Sequence, residues 1–524
     1  MKTRKDSMDN MKRLSLVGLV VALLASARAA SEYDRYFAEL ETADKAADAA
    51  WNAVADIRQL MARRSVLRER FLAAVGVFPE RTPLNAKVVA TVPREGYRVE
   101  KVLFESRPGF HVTALAFVPD AACFVAPYPA VLVTCGHSDN GKADAGYQRA
   151  CVMGAREGFF MMIYDPIDQG ERLMSTDGLC CRGHNQFGSK AHGLGLSAAH
   201  FRIWDGMRCL DYLQSRSDVK PDRLGLMGNS GGGTMTALIA AADPRVRAAC
   251  PSCYITTIRD VVRSIGPQDA EQCVWGQLKD GINHASFVLM TEAAVRLQFS
   301  DRDFFPIAGA RSTYDVVRRT AQRVGLGVRY SATVVKGPHG WKESSRRSSL
   351  DWMRQWLMDE KPNGRTDADY VALDATYDAK ASDCGLSEDE AKVAPGGSVL
   401  NLPGERTVSD VLVDLAIGEG TPRLVFRETA PTRHSFYGAK SAAEENAVIC
   451  LMLGRNLVEE RTNEILAKAR GLAARGAAKP VLVAEDDWVR PAEHAFAEAP
   501  ELFAGFRPLG DGSFRTSVRQ RGSK

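Results

Sequence analysis

The segment Gly228-Asn229-Ser230-Gly231-Gly232-Gly233 has the clearest capacity for chemistry in this chain. It is a G-x-S-x-G. Glycines around a serine permit a sharp, strained turn and leave the hydroxyl exposed as a nucleophile. Leu224 to Met227 before it reads as a strand, and Thr234 to Ala242 after it as a helix. A helix opening there adds partial positive charge beside the serine. A glycine-rich turn can also cradle a phosphate. No G-K-[ST] ending follows, so that use is disfavoured. A serine hydroxyl is a weak nucleophile and needs a base. His339, in Gly337-Pro338-His339-Gly340-Trp341, is the leading candidate. Asp301 and Asp303 lie at suitable positions for an acid that orients the base. His284, Arg172 and Trp341 are candidates for lining a substrate pocket, though His284 reads more readily as structural, and Arg172 as one half of an ion pair with Glu171 or Asp168.

Such a constellation needs a scaffold. Residues 33–74 lack Pro and Gly and carry helical periodicity, ended by Pro79, Pro83 and Pro93. Tyr97 to Val118 alternates about Arg107-Pro108-Gly109 and predicts a β-hairpin. Pro129–Val133, Phe159–Tyr164, Leu224–Met227, Val246–Cys250, Val295–Phe299 and Arg329–Val335 read as strands, alternating with helices. That alternation predicts a mostly parallel central sheet flanked by helices, with the site at the C-terminal strand ends. The α/β-hydrolase fold meets these demands, and in it nucleophile, acid and base follow in chain order. His339 then falls after the last strand and before the helix Ser348–Leu357. The acid falls after Val295–Phe299. The oxyanion hole falls to the backbone N–H groups of Gly231 and of His137, on the loop after Val133. The expected organisation is a signal peptide at 1–29, a helical segment at 30–87, a catalytic domain at 88–360 and a smaller α/β unit at 366–524.

At these residues the chain resembles the acetylxylan-esterase-like α/β hydrolases, relatives of dienelactone hydrolase and of prolyl-oligopeptidase-type esterases. The resemblance rests on Gly136-His137 with Asn140-Gly141-Lys142, Asp168 to Arg172, Asp222-Arg223, Gly228 to Gly233, Pro267 to Gln272, Asp303-Phe304-Phe305-Pro306 and Gly337 to Gly340, within roughly residues 65 to 358. It implies a serine carboxylesterase that removes acyl groups, acetyl above all, from carbohydrate through an acyl-enzyme. The acid-then-proline loop of the dienelactone-hydrolase-like enzymes points to Asp303, and Phe304 and Phe305 would bury it. A prolyl-oligopeptidase-type peptidase is the alternative, but the segment before the sheet is short and helical. A glucuronoyl-type esterase is another, with Arg172 able to pair a substrate carboxylate. The C-terminal unit is similar to a degenerate hydrolase-like region. Its Ala484-Glu485-Asp486-Asp487-Trp488 stands where an elbow would be, and no G-x-S-x-G is present.

Composition narrows the rest. Net charge is +4 over 524 residues, with no basic block interleaved with aromatics, so nucleic acid is a poor partner. Lys2, Arg4, Lys5, Lys12 and Arg13 precede the apolar run Leu14–Leu24 and Ala27-Arg28-Ala29, which together read as a secretory signal. The expectation is an exported protein, periplasmic or secreted, with no stable membrane insertion after cleavage. Eleven cysteines are an odd number, and several stand in apolar runs. They read as buried structural thiols rather than a disulfide framework. Cys250-x-x-Cys253 stands alone, so neither metal nor cofactor is expected. The partner is a small-molecule or polysaccharide ester.

Overall fold

A computed structural model describes residues 33–175, 180–193, 196–266, 269–376, 385–417, 448–474, 481–484, 489–502, 505–508 and 515–516. The signal-peptide expectation and the segment 485–488 lie outside the described residues. Residues Glu39–Ala439 form one unit; the described residues of Met1–Ala38 and Lys440–Lys524 form another. The described residues of 366–417, expected with the C-terminal unit, therefore belong with the larger one.

The larger unit is built on nine strands: β1 (Lys87–Arg94), β2 (Tyr97–Arg107), β3 (Phe110–Pro119), β4 (Tyr128–Thr134), β5 (Phe160–Tyr164), β6 (Val219–Asn229), β7 (Val246–Ser252), β8 (Ala294–Arg302) and β9 (Tyr330–Pro338). Their order is β1-β2-β3-β5-β4-β6-β7-β8-β9. The β1/β2, β2/β3 and β3/β5 pairs are antiparallel, and every pair from β5/β4 to β8/β9 is parallel. All seven residues of β4 are buried. Its continuous apolar reading has that cause, since a parallel strand covered on both faces has no solvent side.

The helices that flank the sheet are α1 (Ile57–Val75), α2 (Ala145–Ala155), α3 (Cys181–Gly193), α4 (Ala198–Ser215), α5 (Gly231–Ala242), α6 (Ile307–Arg323) and α7 (Glu343–Leu357). Asp144 caps α2 by accepting from the Gly146 and Tyr147 amides, and Ser197 caps α4 through the Ala199 amide. Cys151 and Val152 of α2 and Leu350 and Met353 of α7 share a core with Val131, Val133, Met161 and Met227. Strand alternation turns Ala130, Leu132 and Leu226 to the opposite face. There α4 and α5 pack closely, a Cβ at Gly206 meeting Ile239 Cδ1 at 2.3 Å.

β1 was not legible as a strand. It is an edge strand with five exposed residues in a row, and Pro93 is tolerated because one side of it has no partner. The helical segment ahead of it is fastened to the larger unit. Asp44 and Asp48 hold Arg259 and Asn283, and Trp51 Nε1 donates to Ser286 Oγ. Among the described residues no helix is long and apolar enough to cross a membrane.

The smaller unit pairs Val481–Ala484 with Gly505–Pro508 in parallel, and the latter with Arg515–Thr516 in antiparallel. Leu466, Ala469, Ala495 and Ala499 form its core.

Candidate active site

Ser230 stands between the end of β6 and the start of α5, at φ 61° and ψ −126°. A non-glycine residue in that region carries strain and persists only where surroundings enforce it. Here the Ser230 amide donates to the Ser252 carbonyl at the end of β7. The neighbouring glycines answer a close approach of chains. A Cβ at Gly228 would lie 2.4 Å from the Thr134 carbonyl oxygen, and one at Gly232 only 2.0 Å from it.

Asp303 and His339 meet beyond the ends of β8 and β9. His339 Nδ1 lies 2.8 Å from Asp303 Oδ1, and the Asp303 side chain is 2% exposed. The Phe305 amide also donates to Asp303 Oδ1. Phe304 and Phe305 border the imidazole at centroid distances of 4.2 and 5.9 Å. Asp301 is engaged elsewhere: its Oδ1 accepts the Gly337 amide at 2.7 Å, and its side chain is 36% exposed. The Ser230 hydroxyl makes no hydrogen bond to the imidazole in this structure. Catalytic contacts are often long before substrate binds. Cys253, at φ 52°, places its thiol within 4.8 Å of ligand atoms of both Asp303 and His339. Sequence reading had no signal for that proximity.

The loop after β4 brings backbone against the serine. A Cβ at Gly136 would lie 3.2 Å from Ser230 Cβ and 2.6 Å from the Asn229 carbonyl oxygen. Gln169 Nε2 donates to the carbonyls of both Gly136 and Ser138, fixing the loop. Among the described residues no acceptor takes the His137 amide. That N–H and that of Gly231, at the start of α5, can serve an oxyanion.

Behind this loop lies a buried polar cluster that sequence reading missed. His137 Nε2 is 2.9 Å from Asp269 Oδ2 and 3.1 Å from Glu271 Oε1. His184 Nδ1, on α3, is 3.1 Å from Asp269 Oδ2, and Arg202 on α4 pairs with Glu271. Burial alone would lower the His137 pKa and raise that of Asp269. Their mutual charge reverses both, holding His137 well above the usual imidazole range and Asp269 well below the usual carboxylate range. The motif stretch Pro267 to Gln272 holds two of these carboxylates. Their partners sit far off in the chain, so spacing carried no sign of the cluster.

The three pocket candidates part company. Arg172 is fully buried, with Nη1 donating to Asp205 Oδ2 at 2.7 Å and to the Asp165 carbonyl. Its charge is spent internally and does not face solvent. His284 is buried too, bonded to the backbone of Thr256 and 4.7 Å from the Tyr254 ring. Burial lowers its pKa to about 4. Trp341 is half-buried and lies tilted 5.5 Å from the ring of Tyr147, whose hydroxyl donates to the Asn229 carbonyl beside Ser230. Of the three, it alone reaches the serine's surroundings.

The sheet order, the strained serine between strand and helix, and the hydrogen-bonded Asp303–His339 pair on the following strand ends fit the α/β-hydrolase fold, and the chain is an α/β hydrolase by fold. A profile of the prolyl oligopeptidase family matches residues 182–261, which include the Ser230 turn. YtaP of Bacillus subtilis (strain 168), a hydrolase by name, is 28% identical over 203 residues. That match takes in 36% of this chain and 64% of YtaP. The solved structure of Methylesterase BT1017 superposes with a TM-score of 0.52 at 18% identity, over 72% of this chain and 78% of that one.

Proposed function

We propose that the protein is a serine carboxylesterase that removes acyl groups, acetyl in the first place, from carbohydrate. The observation that carries the reading is the Asp303–His339 pair at 2.8 Å on the strand ends that follow a strained, glycine-flanked Ser230. Ser230 Oγ attacks the ester carbonyl carbon while His339 Nε2 takes its proton. Asp303 accepts the Nδ1–H bond, fixing the tautomer and stabilising the imidazolium. The carbonyl oxygen becomes an oxyanion and receives the N–H groups of His137 and Gly231. Collapse breaks the bond to the alkoxy oxygen, which leaves as the alcohol with the proton from His339. Water, deprotonated by the same imidazole, then cleaves the acyl-enzyme.

A cation could meet a uronate only as the product of glucuronoyl-ester cleavage, since the carboxyl of the substrate is esterified. Arg172, the residue considered for that role, is buried against Asp205. The test is turnover of p-nitrophenyl acetate and release of acetate from acetylated xylan. Ser230→Ala should lower the first by about 10⁴-fold. A variant that keeps a tenth of wild-type turnover would remove Ser230 from the mechanism. Absence of acetate from xylan, with the aryl ester still cleaved, would leave the triad and overturn the substrate.

A further inference from the structure

We propose that His137, His184, Asp269 and Glu271 bind a divalent transition-metal ion of the zinc class, held directly behind the oxyanion loop. Each of these residues offers a ligand atom, and those atoms all lie within 4.8 Å of one another. They come from the loop after β4, from α3 and from the segment after residue 268, so an ion there would tie three separate stretches of chain.

The hydrogen-bond count points to a cation. His184 Nε2 lies 3.1 Å from the Ile167 carbonyl oxygen, and Nδ1 lies 3.1 Å from Asp269 Oδ2. A neutral imidazole has one N–H. If Nε2 donates to Ile167, the Nδ1 lone pair faces a carboxylate oxygen as well as Arg202 Nη1 at 3.4 Å, and an ion between ring and carboxylate would give each a ligand bond. A ring nitrogen anchored on a backbone carbonyl, with the other nitrogen on the metal, is a common way of orienting a ligating histidine. His137 Nε2 likewise faces two carboxylate oxygens at once, 2.9 and 3.1 Å away. Asp269 Oδ1 and Glu271 Oε1 are buried and accept no hydrogen bond.

Charge agrees. Arg202 pairs with Glu271, which leaves His137 to face Asp269; an ion in the cluster would take over that balance and leave His137 a neutral ligand. A buried charge without compensation is costly. The donor set names the ion's class. Two imidazoles and two carboxylates suit zinc and its neighbours, whereas magnesium and calcium prefer all-oxygen sites.

The ion would not touch substrate. A Cβ at Gly231 would meet His137 Cε1 at 2.7 Å and Glu271 Oε1 at 2.8 Å. The site therefore backs directly on Gly231 and on the loop that presents the His137 amide. Its role is positioning.

The experiment is metal analysis of the full-length purified protein, with cobalt substitution as a second readout. About one ion per chain is expected, with visible cobalt bands of a four-coordinate site. Chelation should lower the melting temperature by about 5 °C or more, and zinc should restore it. His184→Ala and the milder Asp269→Asn should both lose the ion and the cobalt bands. Ser230→Ala should keep both, which separates this site from the esterase reading. Protein that holds no ion after dialysis against zinc, and whose melting ignores chelator, would overturn the proposal in favour of a protonated His137 as the balancing cation. Full metal content in folded His184→Ala and Asp269→Asn would overturn it as well.

Discussion

Asp301 and Asp303 are two positions apart and live in unlike surroundings. Asp303 is walled from water by Phe304 and Phe305 and spends Oδ1 on the imidazole; Asp301 is more than a third exposed and steadies the backbone at Gly337. In a poorly hydrated site a carboxylate exerts its full effect on a neighbouring imidazolium, while solvent screens the exposed one. Asp303→Asn should therefore cost about 10³- to 10⁴-fold in turnover of p-nitrophenyl acetate with the fold intact, and Asp301→Asn less than about tenfold. Steady-state kinetics on the two folded variants decides the matter, the reversed order assigning the acid to Asp301. The positions of Ser230 between strand and helix and of His339 after the last strand were legible because each sits in a short motif whose neighbours dictate its geometry. The cluster of His137, His184, Arg202, Asp269 and Glu271 was not readable. Its members are brought together by tertiary packing alone, and burial of charge leaves no periodicity behind.

At the scale of elements, the parallel strands were legible from their unbroken apolar runs, and the β2/β3 hairpin from alternation about Pro108-Gly109. β1 escaped because an edge strand exposed on most of its length has no pattern to show. α3 escaped because its sequence is rich in Gly, His and polar residues, and its helicity comes from packing Phe187 and Ala191 into a cluster with Phe110 and Ile167. The tightest constraint between elements is where α5 begins under β4. Thr134 Oγ1 reaches the Gly232 carbonyl at 2.6 Å, and its own carbonyl oxygen occupies the space a Cβ at Gly232 would need. Gly232→Ala should destabilise the protein by about 1–3 kcal/mol and displace the Ser230 turn. Urea unfolding and turnover should fall together; unchanged unfolding would show that the strand end yields freely.

For the molecule as a whole, buried histidines set the response to acid. Burial, with Arg107 adding to it, lowers the His200 pKa to about 3, and burial lowers that of His284 to about 4. Arg107 Nη2 lies 2.9 Å from His200 Nε2, which fits a neutral ring accepting from the guanidinium. An unfolded histidine titrates at about 6.5. Between that value and the folded one the unfolded state binds more protons, so stability rises with pH. The contribution is complete above about 6.5 and is lost as pH falls towards 4. For His284 it amounts to about 3 kcal/mol. Melting temperature should therefore drop steeply from pH 6.5 to 4, and His284→Gln should flatten part of that slope. A wild-type melting temperature constant across the interval would contradict the buried neutral state of both rings.

Glu171, on the loop after β5, accepts the amides of Val393 and Ala394, while Lys142 spans Asp165 and Glu171 beneath it. Gln148 on α2 likewise holds the Leu386 amide and carbonyl, and Val408, Val411 and Leu412 lie against Phe110. The described residues from Leu386 to Leu412 are thus sewn to the larger unit like a stitched seam, and the place where composition changes is not the place where folding ends. A gene shortened after Gly364 would leave Glu171 and Gln148 facing water with their partners gone, and strip the apolar cover from Phe110. Its product should collect in inclusion bodies, whereas one ending after Ile417 should keep the seam. Comparing the soluble yields of the two truncations tests this, equal yields showing that the seam is dispensable.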